Sequence, residues 1–284
     1  MISAGEKRIR LREVMLEAGC TPVPGVFDAL GAKLAQKVGF KALYLGSFST
    51  AISLLGQPDV GSVTMTEMVG HARNIANCVD IPLIVDAENG FAHAANIWRT
   101  VKEMESIGAA AIHIEDHEFG KHTNLAPVLL DESKMCKKIE AAAAAREDSN
   151  FMIIGRTDSG WALRSVDEMI SRANAYLGAG ADAVMLAYDP AFLSKEQRDQ
   201  IKGPVVITGS HRFTMQQESD IGINISLYWP ILVNASFYAM REALQILKDT
   251  QDYSQLGKYL VPEEELNEYI EFGDFIDRAD KYLS

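Results

Sequence analysis

A closed (β/α)8 barrel of the TIM type, class α/β, is what this sequence predicts, and three observations predict it. Short apolar runs alternate with amphipathic segments along most of the 284 residues. The runs are continuously apolar, Ile81-Pro-Leu-Ile-Val-Asp86 and Ala110-Ala-Ile-His-Ile-Glu-Asp116 being the clearest. Such runs suit parallel strands buried on both faces. Both also end abruptly in acids, as strands do at the mouth of a barrel where active sites are built.

Strands are predicted at Pro22–Val26, Ala42–Gly46, Leu83–Asp86, Ala111–Glu115, Met152–Arg156, Ala183–Ala187, Val205–Thr208 and Asn224–Leu227. Amphipathic helices fall between them at Ala29–Val38, Thr64–Cys78, Ala94–Ile107, Glu132–Arg146 and Val166–Ala179. Alternation of this kind calls for a parallel barrel. The turns Val38-Gly39-Phe40-Lys41-Ala42, Ile107-Gly108-Ala109-Ala110-Ala111 and Ala179-Gly180-Ala181-Asp182-Ala183 repeat one design, with Gly where a helix ends. No Pro-, Gly- or Ser-rich linker interrupts the rhythm, so residues 1–284 read as a single barrel domain. From about residue 230 the chain becomes acidic, rich in Tyr and Phe, and reads as additional C-terminal helices.

Composition narrows the partners. A net charge of -12 argues against nucleic acid, which needs clustered Lys and Arg. An anionic substrate must then be captured by local cations and metal. No apolar run is long enough to span a membrane, and the charged, helical N-terminus is not a signal peptide. Cys20, Cys78 and Cys136 lack motif spacing and read as reduced thiols of a cytoplasmic protein.

The strand ends carry the chemistry. Asp86 and Glu88 end one run, Glu115 and Asp116 the next, and oxygen donors without clustered Cys or His point to a hard cation, Mg²⁺. The competing reading has some of them capping helices or pairing with surface bases. Tyr44-Leu-Gly46-Ser47-Phe48 forms a strand-end turn whose amides and hydroxyl can hold a carboxylate. Asp59, in the Gly56-Gln-Pro-Asp59 turn, is either a further acid at this mouth or a turn residue. Arg156 ends the fifth run and must be paired. It either clamps a substrate carboxylate or enolate oxygen, or forms a structural pair with Asp158 or Glu115. Asp116–Leu125 reads as a mobile lid in which Lys121 and His122 either touch an anion or act as acids, or are ordinary exposed loop residues. His113 reads as a satisfied barrel or interface histidine, and His71, His93 and His211 lack ligand spacing.

In order along the chain, these residues resemble the phosphoenolpyruvate mutase/isocitrate lyase superfamily. The marks are Pro24-Gly-Val-Phe-Asp28-Ala29, Tyr44-Leu-Gly-Ser47, Pro58-Asp59, Asp86-Ala-Glu-Asn-Gly90, Ile114-Glu115-Asp116 and Gly155-Arg156-Thr157-Asp158. The resemblance implies a barrel whose last helix is often swapped between subunits of a homodimer or homotetramer. It implies Mg²⁺ or Mn²⁺ holding a small 2-oxo acid, with Asp86 as direct ligand and Glu88 and Glu115 acting largely through water. Gly46, Ser47, Phe48 and Tyr44 are implied at the substrate, and Arg156 facing its oxyanion. Glu88 departs from the usual Asp, and Phe91-Ala92 from Tyr-Gly. The lid Phe119-Gly-Lys-His-Thr-Asn-Leu125 lacks the Cys of the isocitrate and methylisocitrate lyases, and Ala187-Tyr188-Asp189 lacks their Glu. Phe119-Gly120-Lys121 is most similar to oxaloacetate decarboxylase-like members. The expectation is therefore Mg²⁺-dependent carbon–carbon cleavage through a pyruvate-type enolate, taken as decarboxylation of oxaloacetate. Alternatives are phosphonopyruvate hydrolase or mutase chemistry, with Thr123 or Asn124 at the phosphoryl group, 2-methylisocitrate-type cleavage, and a degenerate barrel that only binds dicarboxylates.

Overall fold

The computed structural model describes residues 2–118, 122–187, 193–210 and 212–283. Eight parallel strands close in chain order: β1 (Thr21–Val26), β2 (Leu43–Leu45), β3 (Leu83–Asp86), β4 (Ala111–Glu115), β5 (Met152–Thr157), β6 (Ala183–Leu186), β7 (Val205–Thr208) and β8 (Ile225–Tyr228). No boundary lies more than one residue from its prediction. Between the strands run α2 (Ala29–Val38), α3 (Ser47–Thr50), α4 (Met65–Ala76), α5 (Ile97–Ser106), α6 (Glu132–Ala145), α7 (Ser159–Ala162), α8 (Val166–Gly178), α9 (Lys195–Arg198) and α10 (Met215–Ile221), after an N-terminal α1 (Ala4–Leu16). α3 continues into a π-helical turn, Ala51–Leu55. α5 starts later than predicted: residues 94–96 belong to an irregular stretch that lines a cavity.

Strand alternation sorts the core into two layers. Val26, Leu45, Val85, Ile112, Ile114, Ile153 and Leu186 face the helices. Val23, Tyr44, Ile84, Ala111, Met152, Ile154, Met185, Val206 and Leu227 fill the bore. The bottom of the bore is closed by α1, whose Leu11, Val14 and Met15 join that inner cluster. Burial of each such side chain stabilises by about 1.5–3 kcal/mol. Two basic residues anchor this plug: Lys7 Nζ donates to Ala76 O at 2.8 Å, and Arg8 donates to Ala109 O and Glu105 O and pairs with Asp148. α4 is fixed by a reciprocal cap, Thr64 Oγ1 accepting from the Glu67 amide while Glu67 accepts from the Thr64 amide.

Beyond β8 the chain is helical, as expected: α11 (Ile231–Thr250), α12 (Glu263–Tyr269) and α13 (Phe272–Leu283). Only Val233 is buried in α11, and no residue is buried in α12 or α13. The α12 end is tied to α2 of the same chain by Lys33–Glu271 and Lys37–Glu268 ion pairs. No helix of the described residues is long and apolar enough to cross a membrane.

Closure of the barrel demands one close backbone approach. A Cβ on Gly25 would lie 2.3 Å from the carbonyl oxygen of Trp229, which follows β8. Backbone cannot yield as a flexible side chain does, so Gly25→Ala is expected to destabilise by about 3 kcal/mol or more. Chemical denaturation checks this, and an unchanged midpoint would mean that the β1–β8 seam is slack.

Candidate active site

The site continues the bore upward. Inward positions two residues beyond Ile84, Ala111 and Ile154 are Asp86, His113 and Arg156, and two beyond His113 is Glu115. Register then makes neighbours of them: Asp86 lies beside His113, and Glu115 beside Arg156. Charged groups thus stand directly above an apolar plug, where their desolvation must be offset by partners.

Asp86 is held on both oxygens. Oδ1 accepts from the Glu88 amide at 2.8 Å and Oδ2 from the Ser47 amide at 3.0 Å. Tyr44 Oη lies 3.4 Å from Oδ2 and 3.0 Å from His113 Nε2, which is itself 3.5 Å from Oδ1. Burial, reinforced by the Asp86 carboxylate, holds the Tyr44 phenol well above its ordinary pKa, so it stays a neutral donor. The Ser47 amide is thereby committed to Asp86. Contacts with a substrate fall to its hydroxyl and to its neighbours.

Arg156 bridges two acids, Glu115 through Nη1 at 3.1 Å and Asp158 through Nε at 2.8 Å. Desolvation pulls its pKa down, but Asp158, Glu115 and Asp86 outweigh that and keep the guanidinium charged. Both structural pairings named from the sequence are therefore present, and Arg156 also lines the mouth. Asp158 reaches a second cationic or donor group, His117 Nδ1, at 3.3 Å. Glu115, His117 and Asp158 each offer one ligand atom, all within 4.8 Å of one another.

Asp116, grouped in the sequence with the other strand-end acids, takes the structural alternative. Alternation turns it away from the bore toward α8. There its carboxylate accepts from Tyr176 Oη at 2.6 Å, Thr157 Oγ1 at 2.8 Å, Arg172 at 3.2 Å and the Asp158 amide at 2.9 Å. It organises the β4 and β5 ends and has little capacity left for an ion.

Two cavities open at this end of the barrel. The mouth itself, about 990 Å³, is lined by Tyr44, Gly46, Ser47, Phe48, Asp59, Asp86, His122 and Arg156, all expected from the sequence. The other, about 1080 Å³, lies outside β3 and β4 and is lined by Glu88 and Glu115 with His117 and Lys138. The predicted trio of acids therefore straddles the wall between the cavities. Glu88 occupies the left-handed region at φ +50°, a conformation costly for a side chain other than Gly. Asp59 is buried at the rim, 3.6 Å from His122 Nε2. Thr123 and Asn124 are exposed and line neither cavity, and Lys121 lies outside the described residues. Sequence reasoning missed Trp161, Met185, Ser210, Arg212 and Trp229 in the mouth. Trp229 and Met185 carried a signal, since each sits at or just beyond the end of a strand.

The phosphoenolpyruvate phosphomutase family model matches residues 11–248. The chain belongs to that family. It is similar to an oxaloacetate decarboxylase of Rhodopseudomonas palustris, 30% identical over 98% of this chain and 96% of that one. It is also similar to a 2,3-dimethylmalate lyase of Eubacterium barkeri, 38% identical over 179 residues that span 62% of each chain. A phosphonopyruvate hydrolase solved with oxalate and Mg²⁺ matches with a TM-score of 0.90 at 26% identity, covering both chains fully. The curated relatives are lyases, and lyase chemistry is the class in which family membership puts this chain. Among the family departures noted in the sequence, Glu88 and Phe91 both take positive φ, at +50° and +53°, so the loop after β3 follows a tight path. Tyr188 and Asp189, at the lyases' missing Glu, lie outside the described residues.

Burial raises the Asp116 pKa above its ordinary value, and the Tyr176 hydroxyl opposes that rise by bonding the charged form. Removing the hydroxyl therefore penalises folding only where Asp116 is ionised in the native state. Tyr176→Phe is expected to lose about 1–3 kcal/mol near pH 7, and progressively less as acid protonates the carboxyl. Denaturation across a falling pH series decides it; a constant loss would uncouple the hydroxyl from Asp116.

Proposed function

We propose that this chain is a Mg²⁺-dependent carbon–carbon lyase that decarboxylates a small 2-oxo dicarboxylate, oxaloacetate being the simplest. The observation that carries the proposal is a buried Asp86, fixed by two amides, opening on the same cavity as the Arg156 guanidinium. A small anionic acid fits a pocket that joins an acid for a cation to a fixed positive charge.

The donor set suits a hard ion: Asp86, Glu88 and Glu115 are buried carboxylates with no thiol among them. Asp86 would hold the ion directly, with Glu88 and Glu115 supporting it through water. When bound, the ion supplies Lewis-acid polarisation of the 2-oxo group. The chain's own residues do the rest. As the bond from C3 to the departing carboxylate breaks, its electron pair moves toward the 2-oxo oxygen. Arg156, always charged, stabilises the negative charge that develops there. The neutral Tyr44 phenol and the Gly46–Phe48 turn orient the retained carboxylate. His122, at the rim beside Asp59, or Lys121 returns a proton to C3.

A second reading draws on the wall of the mouth. Phe48, Ile52, Trp161, Met185 and Trp229 put apolar groups around the lining, which suits a C3-alkylated dicarboxylate better than oxaloacetate itself. Oxaloacetate and 2,3-dimethylmalate, tested side by side with Mg²⁺ and product identification, separate the two. Pyruvate and CO₂ from oxaloacetate support the first reading; propionate with pyruvate from dimethylmalate supports the second. Asp86→Ala is expected to abolish either activity by at least about a hundredfold while the far-ultraviolet dichroism persists. Undiminished turnover would remove Asp86 from the reaction.

The chain is further proposed to work in the cytoplasm as a homodimer or homotetramer with an exchanged C-terminal helix. Phe237, Tyr238, Met240 and Leu244 of α11 are between 56% and 68% exposed, an apolar face that a second copy would cover. Light scattering should give a dimer or tetramer mass, and Leu244→Glu should lower it. A monomeric wild type would end that proposal.

A further inference from the structure

We infer that Lys138, on α6, is a positioning residue for the cation site, holding the β3–α5 turn on which the placement of Asp86 and Glu88 depends. The inference rests on the mouth reading, in which Asp86 holds the ion. The turn is strained: Glu88, Gly90 and Phe91 all take positive φ, at +50°, +89° and +53°. Side chains other than Gly persist in that region only where the surrounding structure over-determines them. Here three consecutive carbonyls are each gripped by a different element. Glu88 O accepts from the Glu115 amide of β4 at 2.8 Å, Asn89 O from Lys138 Nζ at 2.8 Å, and Gly90 O from Thr100 Oγ1 of α5 at 2.7 Å.

The grip on Glu88 is main chain, and any residue except Pro at 115 would supply it. Lys138 and Thr100 are therefore the side chains that select this path. Lys138 is 7% exposed, and burial lowers its pKa against the pull of Glu118 and Glu115. An ammonium taken out of water is costly unless it is bonded, so its hold on Asn89 O is strong. That hold reaches the site because the Glu88 amide of the same turn donates to Asp86 Oδ1 at 2.8 Å. A relaxed turn would withdraw this amide and re-aim the Glu88 carboxylate. Groups that orient ligands without touching the ion change metal affinity by about 10–100-fold.

Calorimetric titration of the folded chain with Mg²⁺ reads this directly. Lys138→Met is expected to weaken binding about tenfold, and Thr100→Val to weaken it in the same direction. Lys138→Arg, which keeps a charged donor, should recover most of the affinity. Lys7 is the matched control: 5% exposed, at the closed end of the barrel, its Nζ also donates to a carbonyl at 2.8 Å, that of Ala76. Lys7→Met should lower the denaturation midpoint and leave Mg²⁺ affinity unchanged. Equal weakening in Lys7→Met would reduce Lys138 to general stability and overturn the inference. Wild-type affinity in Lys138→Met overturns it too or, should that variant not fold, wild-type affinity in Thr100→Val. Binding lost in Asp86→Ala and kept in Lys138→Met sinks this inference alone. Undiminished binding in Asp86→Ala removes the mouth reading and this inference together.

Discussion

Arg156 lies between Glu115 and Asp158, and the mouth of the barrel depends on that one guanidinium. Without it, two acids at the ends of adjacent strands would repel each other in a medium of low polarity. With it, both strand ends are pinned, and each acid keeps a second contact. Asp158 turns His117, and its amide binds Asp116, which in turn anchors Tyr176 and Arg172 of α8. A single ion pair in the bore is thus connected, bond by bond, to the outer helical layer. Such networks are strong only when every member is satisfied.

The barrel was legible because its strands are buried on both faces and end in charge. Each apolar run had to be a strand, and each terminal acid or base had to lie at the open end. Asp86 and Arg156 follow from that reasoning alone, whereas Ser47 rests on a strand-end turn and Tyr44 on the family resemblance. His113 did not, because its contacts with Tyr44 and Asp86 depend on the register of three strands, which no local pattern encodes. Glu115 and Asp116 are neighbours in sequence yet face opposite ways, and only the phase of alternation tells which is which. Glu88 was harder still. Its direction is set by a left-handed backbone, a conformation that side-chain residues seldom announce. The loop residues Thr123 and Asn124 had no strand to fix them, so sequence could name them and not locate them.

The two cavities share a wall made of β3 and β4 ends. Asp86 lines one, while Glu88 and Glu115 line the other. Yet the Asp86 carboxylate receives the Glu88 amide, and the Glu115 amide donates to the Glu88 carbonyl at 2.8 Å. Displacement of Glu88 on one side is therefore felt at Asp86 on the other. The left-handed turn at Glu88 is what lets its amide reach Asp86 while the same residue lines the flanking cavity.

At the opposite end, Leu11, Val14 and Met15 of α1 stop the bore. Among the described residues the base is stoppered, so what enters at the strand-end mouth leaves at that same end. For a reaction that splits one molecule into two, this imposes an order of traffic. The fragment nearer the rim departs first, and the fragment held deeper waits its turn. The waiting product occupies the same ground that the next substrate needs, so competition by the retained fragment is written into the architecture. Helix α1 thereby shapes the traffic by closing the base of the bore.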